Sequence, residues 1–292
     1  MGVPSDIEMV NTMFYEAHPS GYFDRRLHGV LSFVPPETPL PCLQLVPLPL
    51  WFMGTMLRAN REGEERKGDL IYALAESEIL FHHSAEALLR LFLAHTPQRR
   101  CPALALSGMR GPGKFARQTG EVLAESRQDK AKKHACYAFS LREDWAEADN
   151  ILEYLRYFKH LLDYASGAYN SAKHGLALSA VEMSVKFEGT PLPEVGNEIE
   201  GDMLACLEKG KRGEEAWWHS WFFTDMDSSL ALSRVAAILI DRLWKTARHR
   251  YLGEPLSLTP DAGLPAFGTL MTPEIKKKRG KLSRALDVES FR

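Results

Sequence analysis

Cysteine is scarce in this sequence, and its spacing is irregular. The 292-residue chain has four cysteines, and no two of them are separated by only two residues. Zinc ribbons bind their metal through such Cys-x-x-Cys pairs, and disulfide frameworks belong to much shorter secreted chains. The pattern therefore argues against both classes, and we expect neither a structural metal nor any other cofactor.

Long apolar runs are also missing. The longest apolar stretch extends from Leu230 to Leu243, and Arg234 and Asp241 interrupt it. A helix needs roughly 20 consecutive apolar residues to cross a bilayer. The N-terminal sequence MGVPSDIEMV lacks the basic segment and the apolar segment that mark a secretory signal. We therefore expect a cytoplasmic protein with no membrane partner.

The chain has no strong excess of one charge. Its 36 Lys and Arg residues against 38 Asp and Glu residues give a formal net charge of −2. The whole molecule therefore does not attract nucleic acid, and any such binding must come from a local patch. One basic run, KKKRGK at 276–281, lies near the C-terminus. The turn GPGK at 111–114 lacks the GxxxxGK(S/T) pattern of a phosphate loop.

Hydrophobic periodicity predicts a mainly α-helical fold. Ser5 and Glu8 have the spacing of a capping box, which predicts a helix that begins at the N-terminus. The proline-rich segment 34–50 excludes a regular helix. The predicted helices cover 5–17, 50–60, 69–95, 114–127, 144–174 and about 227–251.

The period of the apolar positions changes after residue 175 from about 3.6 to 2. Alternation over 181–187 predicts a strand, and 202–208 and 215–224 are further strand candidates. The predicted fold is a helical bundle with a small antiparallel β meander, at about 177–225, inserted before the last long helix. We expect one helical domain over 1–252, followed by an irregular basic tail over 253–292.

A row of polar residues follows the predicted helix 144–174. Its members are spaced alternately by three and four residues, which places them on one face of the helix. The row is rich in His, Arg, Asp and Asn, whereas a plain solvated face carries mostly Lys and Glu. It consists of Glu153, Arg156, His160, Asp163, Gly167, Asn170 and His174.

A second row, Glu78, His82 and Glu86, lies on one line of the predicted helix 69–95 and interrupts its apolar face. A buried carboxylate needs a partner, because an isolated buried charge costs several kcal/mol. The first row and the nearby Lys173 are the closest match in charge. We therefore predict that the two helices pack together and share a polar cleft.

The polar cleft has three interpretations. It could be an ion-pair network that fixes the register of the two helices, or one or both rows could face water. A functional cleft could use its His and carboxylate groups for general acid–base chemistry. The i,i+4 spacing of Glu78 and His82 would let both meet one ion, but ferritin-like metal bundles use a Glu-x-x-His spacing that does not occur here. We predict no metal ligands.

The segment YNSAKHG at 169–175 ends the first polar row. It resembles the signature of the HEPN superfamily (higher eukaryotes and prokaryotes nucleotide-binding domain). Members are helical bundles, commonly dimeric, and many are metal-independent ribonucleases. In that signature an Arg is followed directly by a polar residue, often Asn, and four to six residues separate the Arg from a His. Asn170 and His174 match in type and spacing, and Tyr169 stands where the Arg would be.

The resemblance implies a helical dimer with His174 and Asn170 as candidate catalytic residues. In RNA cleavage without metal a His can move the proton, whereas an Arg is the natural clamp for the phosphate. Because Tyr169 replaces that Arg, we favour a HEPN-like protein that acts by self-association, as a homodimer, and by binding, with RNA as the first ligand to test. The alternatives are a metal-independent ribonuclease that uses His174 and a structural subunit with an architectural polar core.

Overall fold

The structure is a computed structural model of the chain. It describes residues 5–16, 19–49, 63–109, 112–144, 146–164, 179–186, 198–209, 217–256 and 263–286. The described part is mainly α-helical and contains a small antiparallel sheet, as the sequence predicted. The predicted helix at 50–60 lies outside the described residues.

The helices follow the chain in three groups. The N-terminal group is α1 (Asp6–Glu16), α2 (Ser20–Leu31) and α3 (Pro41–Gln44). The central group is α4 (Gly63–Ala94), α5 (Pro102–Ser107), α6 (Pro112–Leu123), α7 (Gln128–Phe139) and α8 (Ala146–Tyr164), with a 3-10 turn at Glu125–Arg127. The last group is α9 (Met226–Leu252), α10 (Phe267–Leu270) and α11 (Pro273–Lys277).

The predicted capping box is present at the start of α1. The Ser5 backbone N–H donates to Glu8 Oε2 at 2.7 Å, and the Glu8 backbone N–H donates to Ser5 Oγ at 3.3 Å. Each side chain thus satisfies a backbone donor that the first helical turn leaves free. The local sequence therefore decides where this helix begins.

The sheet contains the three predicted strands and a fourth one. Its order is β1 (Ser179–Lys186), β2 (Glu198–Lys209), β3 (Trp217–Phe223) and β4 (Gly280–Leu286), and all neighbours are antiparallel. β1 to β3 form the meander that precedes α9. β4 comes after α9 in the chain and pairs with β3, with Ser283 opposite Ser220.

The prediction of an irregular tail after residue 252 is wrong for much of its length. Residues 267–286 contain α10, α11 and β4. The sequence pattern did not predict β4, because the strand is short and carries Lys281 and Arg284, which weaken its apolar alternation. Charged residues are common on strands at a sheet edge, where they prevent pairing with another chain.

The described residues group into two compact units, each made of three chain segments. The first unit comprises Met1–Arg25, His83–Asp163 and Ser233–Phe267. It contains α1, α5 to α8, the end of α4 and most of α9. Its core consists of fully buried apolar side chains, which include Leu88, Phe92, Leu155, Phe158, Val235 and Leu239.

The second unit comprises Arg26–His82, Tyr164–Leu232 and Gly268–Arg292. It contains α3, the sheet, α11, the first part of α4 and the first turns of α9. Its core includes Leu80, Phe81, Met203, Leu204, Phe222 and Leu230, all of them buried. The expected domain end at residue 252 is not a boundary of either unit, since 253–267 belong to the first unit.

None of the helices in the described part of the chain combines the length and the apolar composition that crossing a bilayer needs. All four cysteines carry free thiols and are buried.

Candidate functional site

The three polar residues predicted on α4 have different environments. Glu78 is 6% exposed and His82 is fully buried, as expected from their place in the apolar face. Glu86 is only half-buried, and it pairs with Arg90 one turn later at 2.6 Å. The row therefore does not act as one unit, and only Glu78 and His82 belong to a buried cluster.

Glu78 is the centre of this cluster. Its Oε2 accepts hydrogen bonds from Ser229 Oγ at 2.7 Å and from Thr224 Oγ1 at 2.8 Å. His82 Nε2 lies 3.2 Å from Oε1. The Arg279 guanidinium, 5% exposed, faces both oxygens at 3.4 and 3.5 Å and also donates to Ser229. We call these five residues the Glu78 cluster.

The Glu78 carboxylate stays ionised although it is buried. Burial alone would raise its pKa, but the charge of Arg279, the contact with His82 and the hydrogen bond from Ser229 together hold the pKa of Glu78 well below its ordinary value of 4.5. The Arg279 guanidinium also lies 5.3 Å from the centre of the Phe81 ring. The cluster is thus internally neutralised, as a structural ion pair must be.

Among the described residues, Glu78 pairs with a cation that the sequence did not predict. Its cation is Arg279, from the basic run that was expected in an irregular tail, and not a residue of the row on α8. The helical wheel fixes the face on which Glu78 lies, but only non-local packing decides which cation reaches that face.

The described residues of the row on α8 have partners close to them. Arg156 Nε donates to the Leu123 carbonyl at 3.1 Å, and its guanidinium also bonds to Gln128. Asp163 pairs with Lys159 one turn earlier. Glu153 and His160 are exposed. These contacts are typical of a helix surface, so the predicted cleft does not form from the described residues, while Gly167, Asn170, Lys173 and His174 lie outside them.

The described residues contain no group of three or more His, Cys, Asp or Glu side chains placed to hold a metal ion. The Glu78 cluster contains one carboxylate and one imidazole, and the carboxylate is already paired with the Arg279 guanidinium. Its geometry favours the interpretation of a structural ion-pair network.

A pocket of about 530 Å³ in the first unit is chemically different. Three chain segments form it: the end of α4 with the turn that follows, one face of α6, and the 3-10 turn with the start of α7. The charged or titratable side chains in its lining are Arg99, Glu121, Arg127, Lys130, Lys133 and His134. The other lining residues are Leu93, Thr96, Pro97, Gln98, Gln118 and Val122.

The lining of this pocket carries an excess of positive charge, since four cationic side chains oppose one carboxylate. Arg127, Lys130 and Lys133 recur at every third position, so they follow one side of α7. Both lysines are exposed and keep the conformational freedom to reach a ligand. We call this site the cationic pocket.

His134 forms part of the cationic pocket and stays neutral. Its ring stacks on Phe92 with the ring centres 4.2 Å apart, and its Nε2 lies 2.9 Å from the Phe92 carbonyl oxygen, so Nε2 carries the proton. Burial lowers the pKa of His134, and the positive charges of Arg99 and Lys130 lower it further, against hydrogen bonds to the backbone of Phe92 and His95. An anion bound nearby would reverse the effect of these cations.

Gln118, on α6, is another residue of the lining. Its Oε1 is buried and accepts no hydrogen bond from the described residues. Most buried acceptors in proteins are hydrogen-bonded, so an unsatisfied one costs stability. The cationic pocket therefore offers a ligand mainly positive charge.

The sequence carries one signal for the cationic pocket, in the segment 128–140 for which periodicity predicts neither a helix nor a strand. The spacing of Arg127, Lys130 and Lys133, with His134 beside them, indicates a cationic face once this segment is known to be helical. The contributions of Arg99 and Gln118 have no local signal, because they come from other segments.

Comparison of the chain with protein-family models, with curated protein sequences and with solved structures finds no match.

Proposed function

We propose that this chain is a cytoplasmic, HEPN-like helical protein that binds RNA and associates with itself. The observation that carries the proposal is the cationic pocket, in which four cationic side chains line one cavity beside a single carboxylate. RNA is a polyanion, and each phosphate that a Lys or Arg neutralises releases counterions and strengthens binding.

The charge of the molecule makes the location of these cations informative. The net charge of the chain is −2, so attraction for RNA must be local. The other basic segment, 276–281, is partly committed to contacts within the chain, because Arg279 pairs with Glu78 and Lys278 lies 3.4 Å from Asp225. Arg127, Lys130 and Lys133 are all exposed beside a cavity. The cationic pocket is therefore the stronger candidate for RNA.

Self-association is the second part of the proposal. Met9 and Met13 lie one turn apart on α1 and are 52% and 68% exposed, and Leu104 on α5 is 60% exposed. Large apolar side chains with this exposure are favourable contacts for a second copy of the chain. The four buried free thiols support the cytoplasm as the location, because a reducing compartment keeps cysteines unpaired.

The test of RNA binding is a charge reversal in the cationic pocket. The variant Lys130→Glu/Lys133→Glu should weaken binding of a labelled single-stranded RNA by roughly tenfold or more. It should reduce the slope of log affinity against log salt by about 1.4, because each phosphate contact on a single strand contributes about 0.7. Fluorescence anisotropy at several salt concentrations measures both quantities.

The matched control is Arg142→Glu/Lys245→Glu, which makes the same change in net charge. Both positions are exposed and lie outside the lining of the cationic pocket. An equal loss of affinity in both double variants would mean that only net charge matters, and the proposal would then fail.

The ribonuclease alternative is tested in the same samples. RNA incubated with the protein and EDTA should stay intact under the binding proposal. Cleavage that resists the chelator and disappears in His174→Ala would favour the enzyme instead. If the RNA is neither cleaved nor bound, the result would favour the structural subunit.

A further inference from the structure

The sheet in the second unit has one face that contributes to the core. Residues alternate between the two faces along each strand, and residues directly opposite one another in an antiparallel pair share a face. Leu204 and Cys206 of β2 lie opposite Phe222 and Ser220 of β3, and all four side chains are buried. We call this side of the sheet the core face.

The other face of the sheet is open at one end. Trp217 is 40% exposed, and Leu207, which lies opposite His219, is 47% exposed. His219 and Trp221 are half-buried, and their ring centres lie 4.1 Å apart. Towards the other end of this face the side chains are buried, namely Met203, Ala205 and Phe223. We call Leu207, Trp217, His219 and Trp221 the aromatic face.

The charges of the sheet are divided between its two sides. On the side of the aromatic face, the register places Lys209 opposite Trp217 and Arg284 opposite His219. The carboxylates of the described strands all occupy positions on the side of the core face; they are Glu182, Glu198, Glu200, Asp202 and Glu208. The described strands therefore combine aromatic and basic positions on one side and keep acidic positions on the other.

We propose that the aromatic face binds unpaired bases of single-stranded RNA by stacking. The inference rests on the proposed RNA-binding function for its ligand. It adds a second contact surface, in the second unit, whose chemistry differs from that of the cationic pocket. Trp217 provides the exposed ring, His219 and Trp221 provide a pair of rings on the same face, and Leu207 provides an apolar contact.

A nucleobase is a ligand that suits these rings. Trp217 keeps a large apolar surface in water, and a flat partner that covers it gains the free energy of burial and of stacking. Every base has a π face, so stacking on aromatic side chains binds single strands without regard to sequence. Antiparallel sheets with aromatic residues on an open face bind single-stranded RNA in this way.

The distribution of charge favours a nucleic acid over an apolar protein surface as the occupant. A strand that stacks its bases on the aromatic face carries phosphates along with them. These phosphates come to a side of the sheet where Lys209 and Arg284 have their positions and the described strands place no carboxylate. A duplex keeps its bases paired and stacked, so single-stranded RNA should bind better than a duplex.

The experiment compares a labelled single-stranded RNA with an abasic strand of the same length, which keeps the sugars and phosphates but lacks the bases. Fluorescence anisotropy with the full chain should give the RNA an affinity roughly tenfold higher than that of the abasic strand. The difference should disappear in Trp217→Leu/His219→Ala. Binding of the abasic strand, and the slope of log affinity against log salt, should stay unchanged in this variant because stacking releases no counterions.

Two further variants separate stacking from apolar contact and from loss of any exposed ring. Trp217→Phe keeps an aromatic ring at this position and should retain most of the preference for RNA. Tyr22→Leu removes a ring that is 50% exposed on α2, in the first unit, and should leave the preference unchanged.

Three results would overturn the inference. The first is equal affinity of the wild-type chain for the two strands, a comparison that needs no variant to fold. The second is a preference for RNA that persists in Trp217→Leu/His219→Ala. The third is a changed oligomeric state of that variant with unchanged RNA binding, which would identify the aromatic face as a contact between copies of the chain.

The inference and the proposed function fail in different ways. If Lys130→Glu/Lys133→Glu weakens RNA binding while any of those three results is found, the proposed function stands and only the aromatic face is removed. RNA binding that requires Trp217 and His219, but neither lysine, would keep the inference and remove the cationic pocket.

Discussion

The Glu78 cluster in the second unit and the cationic pocket in the first both collect charged side chains, but they satisfy them differently. In the Glu78 cluster one carboxylate receives two hydroxyl donors, an imidazole and a guanidinium, and almost nothing is exposed. In the cationic pocket four cationic side chains and one carboxylate line a cavity.

The difference teaches how to separate a structural charge from a binding one. A charge that buried neighbours already neutralise gains little from binding a ligand, and removing one of those neighbours destabilises the fold. An uncompensated charge beside a cavity costs little while water solvates it and is available to a ligand. In the sequence both groups appear only as scattered ionisable residues, and their surroundings in the fold distinguish them.

The strongest test of the comparison removes the cation of the Glu78 cluster. Arg279→Leu leaves the buried carboxylate without its guanidinium, so we expect the free energy of unfolding to fall by about 3–5 kcal/mol. Urea denaturation followed by circular dichroism measures the change. The control is Lys278→Ala in the same basic run, whose exposed contact with Asp225 should contribute about 1 kcal/mol or less.

A double variant separates the ion pair from simple packing. Glu78→Leu/Arg279→Leu removes both charges, and it should recover a large part of the loss seen in Arg279→Leu because no unpaired charge remains buried. If the double variant is as unstable as the sum of the two single variants, the two side chains act independently, and the cluster is not a neutralised pair.

The two units should also lose stability in different ranges of pH. Burial lowers the pKa of His95, in the first unit, to about 4 from the ordinary value of 6.5. The unfolded chain therefore binds a proton between these values while the folded chain does not, so stability falls as pH decreases from 6.5 to 4, by about 3 kcal/mol. The pKa of Glu78, in the second unit, is lowered from 4.5, so its contribution is present above pH 4.5 and is lost only below it.

Unfolding measured across this pH range in His95→Gln checks the assignment. The slope of stability against pH should become smaller between pH 6.5 and 4. Part of the slope should remain, because His134 also has a lowered pKa. Glu78→Gln should leave that range unchanged and flatten the curve only in stronger acid. An unaltered slope in His95→Gln would contradict the assignment.

The smallest expected effect concerns Gln118. Removing a buried acceptor that has no partner among the described residues should stabilise the protein without ligand, so Gln118→Met should raise the free energy of unfolding by about 1 kcal/mol. Thr119→Val is the contrasting change on the same helix, since Thr119 Oγ1 already donates to the Phe115 carbonyl at 2.7 Å. A loss of stability in Gln118→Met would indicate that the amide has a structural role.

Much of the fold could be predicted from local patterns. The capping box of Ser5 and Glu8 identified the start of α1, and the change of period near residue 175 identified the meander. β4 was not predicted because it pairs with a strand about 60 residues away in the chain, and a short charged strand has little hydrophobic pattern of its own.

The candidate site was harder to predict than the fold. The cleft between the two rows was an inference from matching charge. In the structure Glu78 pairs instead with Arg279, about 200 residues further along the chain. The cationic pocket combines Arg99, Gln118 and Lys130, each of which by itself resembles an ordinary solvated residue. No periodicity connects them.

The amino-acid sequence by itself determined the start of α1, several of the long helices and the strands β1 to β3, and it placed Glu78 and His82 in an apolar face, because these properties depend on neighbours within a few residues. Only the tertiary structure decided that Arg279 neutralises Glu78 and that Arg99, Lys130 and Lys133 share one cavity. Ionic partners are chosen by desolvation and packing between distant segments, and the free energy of those contacts exists only once the segments have come together.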